Sequence, residues 1–136
     1  MATDRTLVLS WAEDAQFKTL PDDCVASGVA AEPNCHDRLE IFFSTQREII
    51  TQIGYTLTST ACPTVFACVN VLCGLAKGKS VLEAYLINSA DIAKLLSDDG
   101  TLDKEHVHCA MMTELAFKRA ILNYSSVKKA QLASLT

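Results

Sequence analysis

The sequence lacks the long apolar runs, the basic clusters and the biased composition that mark several classes of protein. Its apolar stretches are broken by Asn, Cys and Gly well before the ~20 residues that a membrane-spanning helix needs. No basic cluster is longer than Val127-Lys128-Lys129, so a nucleic-acid-binding surface has little support. Only five Gly and three Pro occur, which excludes collagen-like and low-complexity chains. These absences favour a globular protein with neither a membrane nor a nucleic acid as its partner.

Size and charge predict one acidic domain. The chain has 136 residues, of which 49% are hydrophobic, and a net charge of -4. A domain of this length buries roughly two-thirds of its unfolded surface, which is enough for a core of its own. The first residues, Met-Ala-Thr-Asp-Arg, lack the basic-then-apolar layout of a secretory signal. We therefore expect a single cytoplasmic domain over residues 1–136, in which residues 1–21 form an N-terminal helix or arm.

The hydrophobic pattern of the first half predicts β-structure after a short helix. A helix is expected over roughly 8–20 and an edge strand within 22–36. Residues 37–59 alternate apolar and polar side chains in the way typical of strands, with a turn at Thr45-Gln46-Arg47. An antiparallel meander of three strands is the simplest arrangement of these segments.

The second half changes to a helical period. A helix begins at Pro63 and closes at Gly78, and Ser80 with Glu83 has the form of a capping box for the next helix. A short helix follows from Asn88 to about Leu96, and a long one covers 104–124, with Ser125-Ser126 capping a terminal helical tail. Strands followed by helices predict an α+β fold, in which a small three-stranded antiparallel sheet is covered on one face by four to five helices.

Six cysteines are unexpected in a cytoplasmic chain, where thiols serve metal binding, thiol chemistry or plain burial. Cys68 and Cys73 lie within the apolar helix and are expected to be core thiols. Cys73 also lies about 16 Å along the helix axis from Cys62, too far to share one metal ion with it. Cys24 receives the same core interpretation.

The other three cysteines stand at element boundaries. Cys35 precedes a strand, Cys62 lies where a strand becomes a helix, and Cys109 begins the last helix, where free N–H groups favour a thiolate. Asp37 lies two residues after Cys35, and His108 directly precedes Cys109. Three thiols, one carboxylate and one imidazole suit zinc or an iron–sulfur cluster.

Spacing alone leaves a shared site and separate structural thiols both open, because separations of 27 and 47 residues match no local zinc motif. A hydrolytic triad at residues 35–37 is disfavoured, since adjacent side chains on an extended segment point to opposite faces. His106 is expected to be a solvated residue at a helix start.

An ordered set of motifs nevertheless resembles the IscU/NifU family of iron–sulfur scaffolds over about residues 26–124. The segments that carry the resemblance are Cys35-His36-Asp37, Ala61-Cys62, Gly74–Ala84, Asn88–Ala93 and His108–Ala116. Their family counterparts are a C-G-D turn, a G-C-G turn, a K-G-K-T/S-x-x-E-A segment, a T-D-I-A helix start and an H-C-S-x-L-A-E segment.

The resemblance implies a non-enzymatic scaffold that binds iron and assembles a transient [2Fe-2S] or [4Fe-4S] cluster. It implies that Cys35, Cys62 and Cys109 hold the cluster and accept sulfur as persulfide, that Asp37 keeps the cluster labile, and that His108 is an alternative ligand, often to zinc in cluster-free protein. A cysteine desulfurase would supply the sulfur and apo iron–sulfur proteins would receive the cluster. The expected state is a monomer or weak homo-oligomer.

Several positions depart from the family pattern. His36 replaces a Gly, Ala61 and Pro63 replace the glycines around the second Cys, and the L-P-P-V-K segment that engages a dedicated Hsp70 chaperone is replaced by 102–107. These changes argue against the chaperone as a partner. They leave two alternatives of the same fold, a zinc-bound persulfide acceptor that activates a desulfurase and an interaction module that assembles no cluster.

Overall fold

A computed structural model describes residues 5–13, 17, 26–31, 38–58, 63–97 and 107–134. The elements follow in chain order: α1 (Arg5–Ala12), β1 (Ala26–Ala31), β2 (Arg38–Gln46), β3 (Ile49–Leu57), α2 (Pro63–Ala76), α3 (Val81–Tyr85), α4 (Ser89–Lys94) and α5 (Val107–Ser134). The prediction of an α+β fold, a three-stranded antiparallel sheet with four to five helices, is confirmed, and the described residues form five helices.

The sheet is an antiparallel meander in the order β1-β2-β3. Alternate residues of β2, namely Leu39, Ile41 and Phe43, are fully buried, whereas Glu40 and Phe42 between them are only partly covered. This period of two is what a strand shows when one face packs on a core. The core therefore lies on a single face of the sheet, where α2 and α5 pack.

The hairpin turn is one correction to the sequence prediction. The turn is formed by Arg47 and Glu48, whose φ angles are 53° and 68°, rather than by Thr45-Gln46-Arg47. Two successive positive φ values match the right-handed twist of the flanking strands. A register shift between Ser44 and Thr45 accompanies the turn.

Most predicted helix boundaries are confirmed because single residues determine them. Pro63 is the first residue of α2, and Ser80 caps α3 by accepting a hydrogen bond from the Glu83 N–H at 3.2 Å. Asn88 and Asp91 form a reciprocal capping box at the start of α4.

The two terminal helices differ from expectation. The first runs from Arg5 to Ala12 instead of over 8–20, and it is joined to α2 through the Asn70 side-chain amide, which donates to the Trp11 carbonyl at 2.7 Å. The last helix begins at Val107 and continues without a break to Ser134. The predicted cap at Ser125-Ser126 is therefore wrong. No helix in the described part of the chain is long and apolar enough to cross a membrane.

Candidate metal and cluster centre

One end of the sheet, which we call the open end, is formed by Ala31, Arg38 and Thr58. Ala31 pairs with Arg38 across β1 and β2. The Arg38 N–H donates to Thr58 Oγ1 at 2.8 Å, and the Thr58 N–H donates to the Arg38 carbonyl at 3.2 Å. The opposite end, which we call the turn end, is formed by Arg47 and Glu48.

Helix α2 runs from the open end towards the turn end. The residues just after it are fixed at the turn end, because the Gly78 N–H donates to the Ile50 carbonyl at 2.8 Å and the Ile50 N–H donates to the Lys79 carbonyl at 2.9 Å. The helix is about 21 Å long and so spans about two-thirds of the ~30 Å length of the β3 strand that it packs against. Pro63 therefore lies towards the open end.

Helix α5 has the same direction. Near its C-terminal half, Tyr124 Oη donates to Glu48 Oε2 at 2.9 Å and Lys128 forms an ion pair with Glu48. Halfway along, Arg119 donates to the Val29 carbonyl at 2.8 Å. His108 precedes Tyr124 by about 24 Å of helix, so the N-terminus of α5 lies at the open end.

Three element starts thus lie at the same end of the molecule. In the sequence, Asp37 directly precedes Arg38 and Cys62 directly precedes Pro63. Of the five predicted ligands, the structure describes only His108 and Cys109. The predictions for Cys35, Asp37 and Cys62 fall outside the described residues, as do those for Cys24, His36 and His106.

Cys109 lies in the first turn of α5, as predicted. Its Sγ is 3.7 Å from His108 Nε2, and the residue is 1% exposed. In general, the free N–H groups of a helix N-terminus favour a thiolate, whereas burial favours the neutral thiol. A thiolate and an imidazole at this separation form a pair that both zinc and iron accept.

Cys68 and Cys73 are confirmed as core thiols. Both are fully buried in α2, and burial raises the pKa of the Cys73 thiol far above its ordinary value of 9.0. A thiol that burial keeps neutral, inside a helix and away from the free N–H groups of its N-terminus, is a poor nucleophile and a poor ligand. Within the described residues, no three His, Cys, Asp or Glu side chains come together as a metal site.

Two residues that the sequence interpretation did not assign support the first turns of α5. Thr113 is fully buried, and its Oγ1 donates to the Cys109 carbonyl at 2.8 Å. Glu114 Oε1 accepts the Ser89 N–H at 2.6 Å and so joins α5 to the start of α4. Glu114 lies in the motif segment that begins at His108. The motif therefore draws attention to Glu114, but it does not predict the contact with Ser89.

The described residues form an α+β domain, a three-stranded meander covered on one face by helices, with a cysteine and a histidine side by side at the start of its last helix. The chain belongs to the family described as the NifU-like N terminal domain, whose model matches residues 10–131.

Relatives with similar sequences carry names from iron–sulfur assembly. The chain is 31% identical over 110 residues to the iron-sulfur cluster assembly scaffold protein IscU of Escherichia coli K12, covering 81% of this chain and 82% of that protein. It is 35% identical over 105 residues to iron-sulfur cluster assembly protein 3 of Arabidopsis thaliana, covering 76% of this chain and 57% of that protein. The chain thus spans little more than half of the plant relative.

Solved structures share the fold at low sequence identity. The SufU chain of Fervidobacterium islandicum AW-1 superposes with a TM-score of 0.72 at 14% identity, over 87% of this chain and 96% of that chain. The N-terminal part of a NifU-like protein from Brucella abortus superposes with a TM-score of 0.62 at 12% identity, over 92% and 94%.

Proposed function

We propose that this protein is a scaffold for iron–sulfur cluster assembly. In this proposal it accepts sulfur from a cysteine desulfurase, combines it with iron, and transfers the cluster to apo iron–sulfur proteins. The cluster is cargo rather than a resident cofactor, and no catalytic residue is assigned. Family membership and the names of the relatives support this class of function.

The observation that carries the proposal is the common location of three element starts at the open end. Arg38 begins β2, Pro63 begins α2 and Val107 begins α5. Each start is next to, or within three residues of, a cysteine that the sequence analysis selected. Cysteines separated by 27 and 47 residues can meet only if the fold brings these starts to one end, and the fold meets that condition.

The proposed ligands are Cys35, Cys62 and Cys109, with Asp37 or His108 as the fourth. Three thiolates and one oxygen or nitrogen donor make an unsymmetrical ligand set, which is better suited to release than four buried thiolates. Sulfur would arrive when one of these thiolates attacks the outer sulfur of the desulfurase persulfide. The new S–S bond forms on the scaffold, and the desulfurase cysteine leaves as a thiolate.

A second candidate function is a zinc-bound persulfide acceptor that activates a desulfurase. The 3.7 Å separation between Cys109 Sγ and His108 Nε2 favours it, because an imidazole beside a thiolate completes a tetrahedral zinc site of Cys and His or Asp ligands. An interaction module of the same fold that assembles no cluster is the third interpretation. The cytoplasmic location stays a prediction of the sequence.

The test is anaerobic reconstitution with iron, cysteine and a desulfurase, followed by the visible absorption spectrum and total metal. Wild type is compared with Asp37→Ala, and Cys62→Ser is compared with Cys68→Ser as a core control of the same helix region. We expect a cluster that passes to an apo-ferredoxin and is retained several-fold longer by Asp37→Ala. Cys62→Ser should lose the cluster, whereas Cys68→Ser should bind it and affect mainly folding.

The outcomes separate the candidates. A colourless protein that holds one zinc ion and stimulates the desulfurase would replace the scaffold with the zinc relay. A folded protein that binds no metal would favour the interaction module. Loss of the cluster in Cys68→Ser without loss of folding would show that the proposed ligand set is wrong.

A further inference from the structure

A second surface lies at the turn end, between α3 and the C-terminal half of α5. It is a groove of about 390 Å³. Val81, Ile121 and Tyr124 form its buried floor, each only 7% exposed. Leu82 stands at its rim with 83% of its surface exposed, the largest exposure of any large apolar side chain in the described part of the chain.

The walls of the groove are held in place before any partner binds. The Tyr124 ring packs 5.6 Å from the Phe43 ring in the core, and its hydroxyl is bound by Glu48. On the other wall, Lys118 Nζ donates to the Tyr85 carbonyl at 2.8 Å and lies 4.4 Å from the centre of the Tyr85 ring. A preorganised apolar site loses little conformational entropy when it is occupied.

The charge around this groove is opposite to that of the whole chain. The protein carries a net charge of -4, yet the groove lining has two basic residues, Lys128 and Lys129, and one acidic residue, Glu48. A third basic side chain, Lys118, lies against the ring of Tyr85 in the groove wall. The acidic Glu48 is matched there by Lys128, and Glu83 accepts the Ser80 hydroxyl at 3.0 Å.

We propose that this groove binds an acidic peptide segment of a partner protein, which inserts an apolar side chain beside Leu82. An apolar floor with a basic rim is complementary to an amphipathic helical segment that carries apolar residues on one face and acidic residues on the other, and complementary charge steers such a segment into register. The groove lies at the opposite end of the sheet from the proposed cluster ligands. A partner bound there leaves the open end accessible, and the proposal does not depend on what the open end binds.

The probe is a synthetic peptide of about sixteen residues with Leu at helical spacing and Glu at the remaining positions. The control peptide keeps every Leu and replaces every Glu with Lys. Both are titrated into the ¹⁵N-labelled full chain, and amide shifts are followed at Leu82, Ser125 and Lys129. Leu82→Ser removes the exposed apolar side chain at the rim, and Lys129→Glu reverses one rim charge. The control is Leu122→Ser, because Leu122 is also an exposed leucine but lies on α5 outside the groove lining.

We expect the acidic peptide alone to bind, with affinity that falls as salt increases. Leu82→Ser should weaken binding about ten-fold and Lys129→Glu about three-fold, whereas Leu122→Ser should bind as wild type does. Equal binding of both peptides, shifts located elsewhere, or no binding would overturn the proposal. If the same amide signals shift when protein concentration alone is raised, the groove binds a second copy of this chain rather than a partner segment. Cluster binding measured on Leu82→Ser tests the scaffold separately.

Discussion

At the scale of single residues, Gly28 decides how closely β1 and α5 pack. A Cβ atom at this position would lie 2.2 Å from the Ala120 nitrogen and 2.3 Å from the Ala116 oxygen. Both are backbone atoms, so Gly28→Ala must push the helix away from the strand. We expect a loss of about 3 kcal/mol in the free energy of unfolding, measured by urea denaturation.

Gly74 provides the matched control for this change. Its added Cβ would meet only the Trp11 ring, at 3.9 Å, and its position inside α2 favours Ala. Gly74→Ala should therefore raise stability by about 0.5–1 kcal/mol. If both variants lost a similar free energy of unfolding, the close contact between β1 and α5 would not be the cause of the loss in Gly28→Ala.

Cys73 gives stability a dependence on alkaline pH. Burial keeps its thiol neutral, whereas the thiol of the unfolded chain ionises above pH 9.0. The folded state then binds more protons than the unfolded state, so stability falls as pH rises above 9.0, by about 1.4 kcal/mol per pH unit from this group. Denaturation of wild type and Cys73→Ala between pH 8 and pH 10 should give a steeper decline in wild type; parallel curves would contradict this.

At the scale of elements, α4 depends on a carboxylate supplied by another helix. It has six residues, too few for an isolated helix, and Glu114 accepts the N–H of its first residue, Ser89. Glu114→Ala should lower the free energy of unfolding by about 1.5 kcal/mol and accelerate hydrogen exchange of the Ser89 amide. Glu114→Gln keeps an acceptor and should lose less; equal exchange in both variants would contradict the role of the contact.

The element boundaries show what the sequence could and could not predict. The starts of α2 and α3 were predictable because one residue determines each, Pro63 through its fixed φ and Ser80 through its hydroxyl. The hairpin turn was misplaced because Arg47 and Glu48 adopt positive φ without the Gly or Asn that usually marks it. Ser125-Ser126 did not end α5, since two exposed serines cost a long helix little.

The candidate site was predictable in part for the same reason. Cys109 was expected in the first turn of the last helix because helix starts leave local signals. The joining of Glu114 to Ser89, 25 residues apart, leaves no such signal, because the side chain of one helix meets the backbone of another only after both have packed. The common location of the three element starts also depends on the directions of α2 and α5, which spacing does not fix.

At the scale of the whole molecule, the open end and the groove at the turn end lie about 24 Å apart along α5. Substitutions at sites so far apart, with no shared partner, usually act independently. Lys129→Glu should therefore leave the cluster half-life of Asp37→Ala unchanged, and Asp37→Ala should leave affinity for the acidic peptide unchanged. Coupling between the ends would be revealed by a double variant whose cluster half-life differs from that of Asp37→Ala, or whose peptide affinity differs from that of Lys129→Glu, by the equivalent of more than about 0.5 kcal/mol.

The length of α5 has a practical consequence. Its 28 residues run unbroken from Val107 to Ser134, a rod of about 42 Å, and Cys109 lies in its first turn. A fluorophore attached to the last turn of α5 would therefore lie at a fixed distance from a visible-absorbing cluster bound near Cys109 in the first turn. Quenching of this fluorophore by resonance energy transfer to the cluster would then report cluster binding and release in real time.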